Sequence, residues 1–247
     1  MQVKIYQNGD HYAGQMINGE KYGKGIFKWV NGDEYNGDWS NNSRTGKGKM
    51  IFADGNSYEG DYLNNERQGE GNYKWANGDE YQGEWMKNNR NGKGRMISAN
   101  GDQYLGKWQN NLKHGKGLFK EINGNQYYGD WENDKKSGKG KQAFFNGNQY
   151  EGDYLENELN GKGRFKWANG DQYYGDWKNG SMTGQGLMSY VTGESYDGDW
   201  INNQRNGQGT LKWANGDEYF GNWQNNQKKW KGFTKMEQLD LILWRLG

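Results

Sequence analysis

The sequence predicts an all-β protein: an elongated, single-layer antiparallel β-ribbon of tandem β-hairpins, ended by a short C-terminal capping helix. Three observations predict it. Tyrosine recurs every 23 residues from Tyr12 to Tyr219, with no insertion or deletion. Glycine holds the same four places after each of the first nine tyrosines, beginning with Gly14, Gly23, Gly25 and Gly32. Within a unit the apolar residues are two apart, the period of a strand rather than the 3.6 of a helix. Self-similarity at a fixed period marks a repeat architecture, in which stacked units bury a core that one unit cannot bury alone.

With each tyrosine as position 0, the first strand is expected from 0 to +4 and the second from +11 to +17. Position +4 is aromatic: Trp39, Tyr62, Trp85, Trp108, Trp131, Tyr154, Trp177, Trp200 and Trp223, with Met16 in the first unit. Positions +15 and +17 are mostly large and apolar, as in Phe27/Trp29, Tyr73/Trp75 and Phe165/Trp167. An Asn-rich loop is expected from +5 to +10, and the Asn-Gly-Asp or a relative that follows each second strand, as in Asn31-Gly32-Asp33, reads as a hairpin turn tolerating positive φ. One register sets +4 opposite +11, so that each Trp lies over a glycine. It also sets +3 opposite +12 on the other face, giving Asp38/Lys47, Glu84/Lys93, Asp130/Lys139 and Asp153/Lys162.

Composition narrows function. Hydrophobic content of 31% and a mean hydropathy of −1.36 would alone suggest disorder, but aromatics at 16% argue for a core. A net charge of +1 gives no reason to expect nucleic acid. The absence of cysteine excludes disulfides and thiolate metal sites. The first residues hold no signal-like apolar run and no stretch is long enough for a membrane span, so an intracellular, cytoplasmic protein is expected. His11 and His114 each lack a Cys or His partner, and the acids recur as architecture. No enzyme activity, metal or cofactor is therefore expected.

The ends break the lattice. Residues 1–11 read as a truncated N-terminal repeat or cap, 12–233 as the array, and 234–247 as an amphipathic helix. Thr234 and Glu237 fit a capping box, and Met236, Leu239, Ile242, Leu243 and Leu246 follow at helical spacing. The simpler reading is an intramolecular cap. The sharper one is a docking helix, because Trp244 and Leu241 widen the apolar surface. It would join subunits, or two copies of the chain through their ends.

The unit Tyr-x-Gly-x-Trp, six polar residues, Gly-x-Gly, an apolar strand and Asn-Gly-Asp resembles the MORN repeat (membrane occupation and recognition nexus). The resemblance covers residues 3–233, with nine complete units of about ten. It implies a curved antiparallel ribbon with an aromatic-lined groove. It also implies use as a scaffold, as a groove for partner-protein segments, or as a membrane or cytoskeletal tether, including in cilia. Some members carry a catalytic domain, for which no residues remain here.

The expected function is thus a non-enzymatic scaffold that binds other proteins along the +4 aromatic row and holds subunits in a cytoskeletal, ciliary or membrane-associated assembly. A phosphoinositide or membrane tether is the alternative. Its candidate contacts are the +12 lysines Lys24, Lys47, Lys93, Lys116, Lys139 and Lys162, weighed against their neutralisation by acids across the strand. An extracellular choline- or glucan-binding repeat is a third reading, opposed by the missing signal peptide and by the Gly-x-Gly pattern.

Overall fold

The computed structural model describes residues 2–229 and 233–235. Residues Met236, Leu239, Ile242, Leu243 and Trp244 of the expected helix lie outside the described residues. Strands alternate with short turns throughout the described chain, and it contains no helix. They are β1 (Gln2–Ile5), β2 (His11–Ile17), β3 (Glu20–Lys28), β4 (Glu34–Ser40), β5 (Ser43–Ile51), β6 (Ser57–Leu63), β7 (Glu66–Lys74), β8 (Glu80–Met86), β9 (Asn89–Ile97), β10 (Gln103–Gln109) and β11 (Leu112–Lys120). There follow β12 (Gln126–Glu132), β13 (Lys135–Ala143), β14 (Gln149–Leu155), β15 (Glu158–Lys166), β16 (Gln172–Lys178), β17 (Ser181–Ser189), β18 (Ser195–Ile201), β19 (Gln204–Lys212), β20 (Glu218–Gln224), β21 (Gln227–Lys228) and β22 (Phe233–Lys235).

The chain divides into two compact bodies, Met1–Gly124 with Trp131–Asp134, and Asn125–Asp130 with Lys135–Gly247. In the first, β1 to β11 pair antiparallel in chain order. In the second, β13 to β20 do the same. Strand β22 then pairs with β20, Tyr219 opposite Thr234 and Glu218 opposite Lys235. Thr234 and Lys235, expected to open the helix, thus continue the array at its +15 and +16 positions.

The turns differ from expectation. The tight hairpin turn is at +6 and +7, where Asn41 and Asn42 have φ of 48° and 64°. Two successive residues at positive φ match the twist of the flanking strands. The loop expected from +5 to +10 therefore shrinks to two residues, and the second strand begins at +8. At Asn31-Gly32-Asp33 only the glycine has positive φ, 98°, and the Asn31 side chain accepts the Asp33 N–H at 3.0 Å.

Register is corrected as well. Within a hairpin +2 faces +13, as Gly37 faces Gly48, but Trp39 faces Arg44 at +9 rather than Gly46 at +11. A bulge intervenes. Gly46 sits in it with φ of 54°, a conformation costly for a residue with a Cβ. The bulge frees the N–H of Lys47, which donates to Asp38 Oδ2 at 3.0 Å. The expected pairings of +4 with +11 and of +3 with +12 exist, but with the next unit: Gly46 faces Tyr62 and Lys47 faces Asp61. Lys24–Asp38, Lys47–Asp61, Lys139–Asp153 and Lys162–Asp176 are ion pairs at 2.6–2.7 Å.

The core lies on one face. Each repeat tyrosine from Tyr12 to Tyr196 is fully buried, its ring lying over the paired glycines at +2 and +13. The hydroxyl donates to the +3 carbonyl of its own strand, as Tyr81 does to Glu84 O at 3.0 Å. Burial pushes the phenols of Tyr62 and Tyr196 up to about 12 and raises those of Tyr35, Tyr58, Tyr81, Tyr127, Tyr150 and Tyr173. The free tyrosine value is near 10. A folded value above the unfolded one gives stability that is complete below the unfolded pKa and is lost as pH rises through the folded value. The urea midpoint is therefore expected to fall steeply between about pH 10 and about 12. A midpoint unchanged to pH 12 would show that these phenols ionise in the folded state at no cost.

Candidate functional site

Every aromatic side chain of the +4 row is core, whereas Met16 of the first unit is half-buried. Trp39, Tyr62, Trp85, Trp108, Trp131, Tyr154, Trp177, Trp200 and Trp223 are between 3% and 6% exposed. Within a body such a ring stands edge-on between two tyrosines: Trp85 lies 5.4 Å from Tyr58 and 5.2 Å from Tyr81, with interplanar angles of 83° and 88°. Indole N–H groups reach back to the +13 glycine carbonyl of the preceding unit, Trp39 to Gly25 O at 3.1 Å and Trp200 to Gly186 O at 2.9 Å. These rings couple neighbouring units, and their edge-to-face contacts use the surface that a partner would need. The expected groove row is corrected accordingly.

A partly accessible aromatic row flanks this core one step outward, at +17, separate from the more exposed Tyr128, Phe145, Tyr174 and Phe220. Trp29, Phe52 and Trp75 in the first body, and Phe144, Trp167, Tyr190 and Trp213 in the second, are half-buried. They rest on the +15 residues, with Phe27–Trp29 and Tyr73–Trp75 both 4.5 Å apart and Phe165–Trp167 4.7 Å apart. Ser98 and Glu121 occupy the same position in the fourth and fifth units and interrupt the row.

Beside this row runs a line of cations at +9 that the sequence reading did not single out. Arg67 lies 4.5 Å from the Trp85 ring centre, Arg90 4.4 Å from Trp108, Lys113 4.6 Å from Trp131 and Arg205 4.6 Å from Trp223. Each thus covers the +4 ring of the following unit. The arginines also tie units by donating to a turn carbonyl of the next one, Arg90 Nη2 to Asn111 O at 2.9 Å and Arg67 Nη2 to Asn88 O at 3.0 Å. Burial lowers the pKa of Lys113. Leu159 and Met182 replace the cation in the seventh and eighth units. The signal was present, since a basic residue recurs there from Lys21 to Lys136. A six-residue loop had placed it off the sheet.

The +12 lysines lie on the opposite face. Lys24, Lys47, Lys139 and Lys162 are ion-paired as above, and Lys93 faces Lys107. Among the described residues no group of three or more His, Asp or Glu side chains is placed to hold a metal ion.

The TCP domain of Drosophila melanogaster SAS-4 (dCPAP), solved with a proline-rich motif of Ana2 (dSTIL), is similar at 13% identity, covering 62% of this chain and 83% of that one with a TM-score of 0.40. The TCP10 domain of Danio rerio CPAP, solved with a peptide of STIL, is similar at 10% identity over 95% and 97% of the two chains, with a TM-score of 0.37. These scores are too low to carry a structural or functional inference. No curated protein sequence matches the chain. The MORN repeat matches nine consecutive segments, from residues 12–34 and 35–57 in 23-residue steps to 196–218. They span most of the sequence and coincide with the tyrosine-to-tyrosine units of the sheet, so the chain belongs to the MORN repeat family.

Proposed function

We propose that this chain is a non-enzymatic scaffold that binds segments of partner proteins along the outer edge of its aromatic face. The observation that carries the reading is the half-buried +17 row with its flanking cations. Trp75 has Arg90 5.8 Å from its ring centre, and Trp213 has the Lys228 ammonium at 4.0 Å. Such rings are held from below by core residues, so a partner gains contact area at small entropic cost. The cations suit segments that combine apolar side chains with carboxylates. Membership of the family supports a scaffold held in an intracellular assembly, of cytoskeletal, ciliary or membrane-associated kind.

The test is an affinity capture with mass spectrometry, comparing wild type with Trp167→Ala/Tyr190→Ala/Trp213→Ala. The variant is expected to keep the wild-type circular dichroism spectrum and to lose partners. An unchanged set of captured proteins would remove this edge as the binding surface.

A further inference from the structure

The face opposite the aromatic core carries a row of +3 and +12 side chains, one per strand. In four rungs of this ladder opposite charges meet as ion pairs, Lys24/Asp38, Lys47/Asp61, Lys139/Asp153 and Lys162/Asp176. Two adjacent rungs break the rule. Glu70 on β7 faces Glu84 on β8, and Lys93 on β9 faces Lys107 on β10. Across four successive strands the row reads acid, acid, base, base, over roughly 14 Å at the usual strand spacing. Among the described residues none of these four side chains forms an ion pair, and Glu70, Lys93 and Lys107 are exposed. Like charges directly opposite each other oppose the fold.

We propose that this row is a self-association surface, and that its occupant is a second copy of the chain. A two-fold axis parallel to the strands, passing between β8 and β9, lays the row on its own copy in reverse. Glu70 then meets Lys107 of the second copy and Glu84 meets Lys93, each contact occurring twice, as an isologous interface requires. The ladder's two unfavourable rungs become four opposed pairs. A second match follows from the same operation. Leu105 on β10 is 57% exposed on this face, and the operation sets it over β7. There a trough of about 960 Å³, floored by Gly37, Gly48, Gly60 and Gly71, ends against Asn72 and Gln82. The surface is separate from the proposed partner edge, so either can stand without the other.

Sedimentation equilibrium of the full chain tests the proposal. Wild type is expected to dimerise, more weakly as salt rises. Glu70→Lys and Lys107→Glu are each expected to raise the dissociation constant at least about tenfold, because each sets two like-charge contacts into the dimer. An equimolar mixture of the two variants is expected to restore dimerisation, since all four contacts are again opposed. Each reversal also turns a like-charge rung within the chain into an opposed one. The thermal midpoint should hold or rise, and loss of the dimer would not report unfolding. A wild type that stays monomeric up to about 1 mM, a dimer indifferent to the reversals, or a mixture that fails to recover it would each overturn the proposal.

Discussion

Trp108→Ala is expected to cost about 3–5 kcal/mol and to split the unfolding of the array into separable transitions. The ring is 5% exposed and stands edge-on to Tyr104 of its own unit at 5.1 Å and to Tyr81 of the preceding unit at 5.4 Å. Its N–H donates to Gly94 O at 3.3 Å, and the Arg90 guanidinium lies over it. Three of these four partners belong to the unit before. The side chain is therefore a nearest-neighbour coupling term as well as core, and repeat arrays lose cooperativity where that term is weakened. Truncation also strips a half-buried guanidinium of its ring. Trp75→Ala, at the half-buried +17 position, is expected to cost under about 2 kcal/mol, because a surface that stays partly wet contributes less on burial. Urea titrations followed by far-UV circular dichroism compare the two. Equal midpoint shifts would mean that the inner and outer aromatic rows had been assigned the wrong way round.

The contrast between these rows shows what the sequence could and could not convey. Strand period, hairpin class and the one-sided core were legible, because alternation around Tyr-x-Gly-x-Trp leaves no helical alternative. Register was not, and the repeat itself is the reason. Lys47 lies next to Asp38 of its own unit and next to Asp61 of the following one, and a periodic sequence puts an acid at both places. Only the bulge at Gly46 decides that the backbone N–H goes to the first and the ammonium to the second. The turn chemistry misled for a similar reason. Asn-Gly is the stronger hairpin signal, yet the two-residue turn forms at Asn41-Asn42, where the strand lengths on either side bring Ser40 opposite Ser43. Extending the second strand back to +8 carried the +9 cations onto the sheet. It also consigned the +4 rings to the interior, which turned an expected groove into a core.

Gly94→Ala is the second large effect, expected to destabilise by about 3 kcal/mol. The reason is contact, since this +13 glycine does not have positive φ. A methyl group there would overlap the Tyr81 ring, beginning with its hydroxyl. That ring is fully buried, held by its hydrogen bond to Glu84 O and by Trp85 and Trp108 at 5.2 and 5.4 Å. It cannot step aside without breaking the coupling between units. Gly92→Ala, two residues earlier, is a different case. Its φ of 75° sets a backbone cost of about 1–2 kcal/mol, and its methyl would meet the Glu84 side chain rather than the Tyr81 ring. The two mechanisms separate in a double-mutant cycle. Tyr81→Phe removes the atom nearest the new methyl at a cost of about 1 kcal/mol for the lost hydrogen bond. Combined with Gly94→Ala it should be less harmful than the sum by at least about 0.5 kcal/mol, whereas with Gly92→Ala the effects should add. Additivity in both cycles would mean that the tyrosine ring is not what holds this position to glycine.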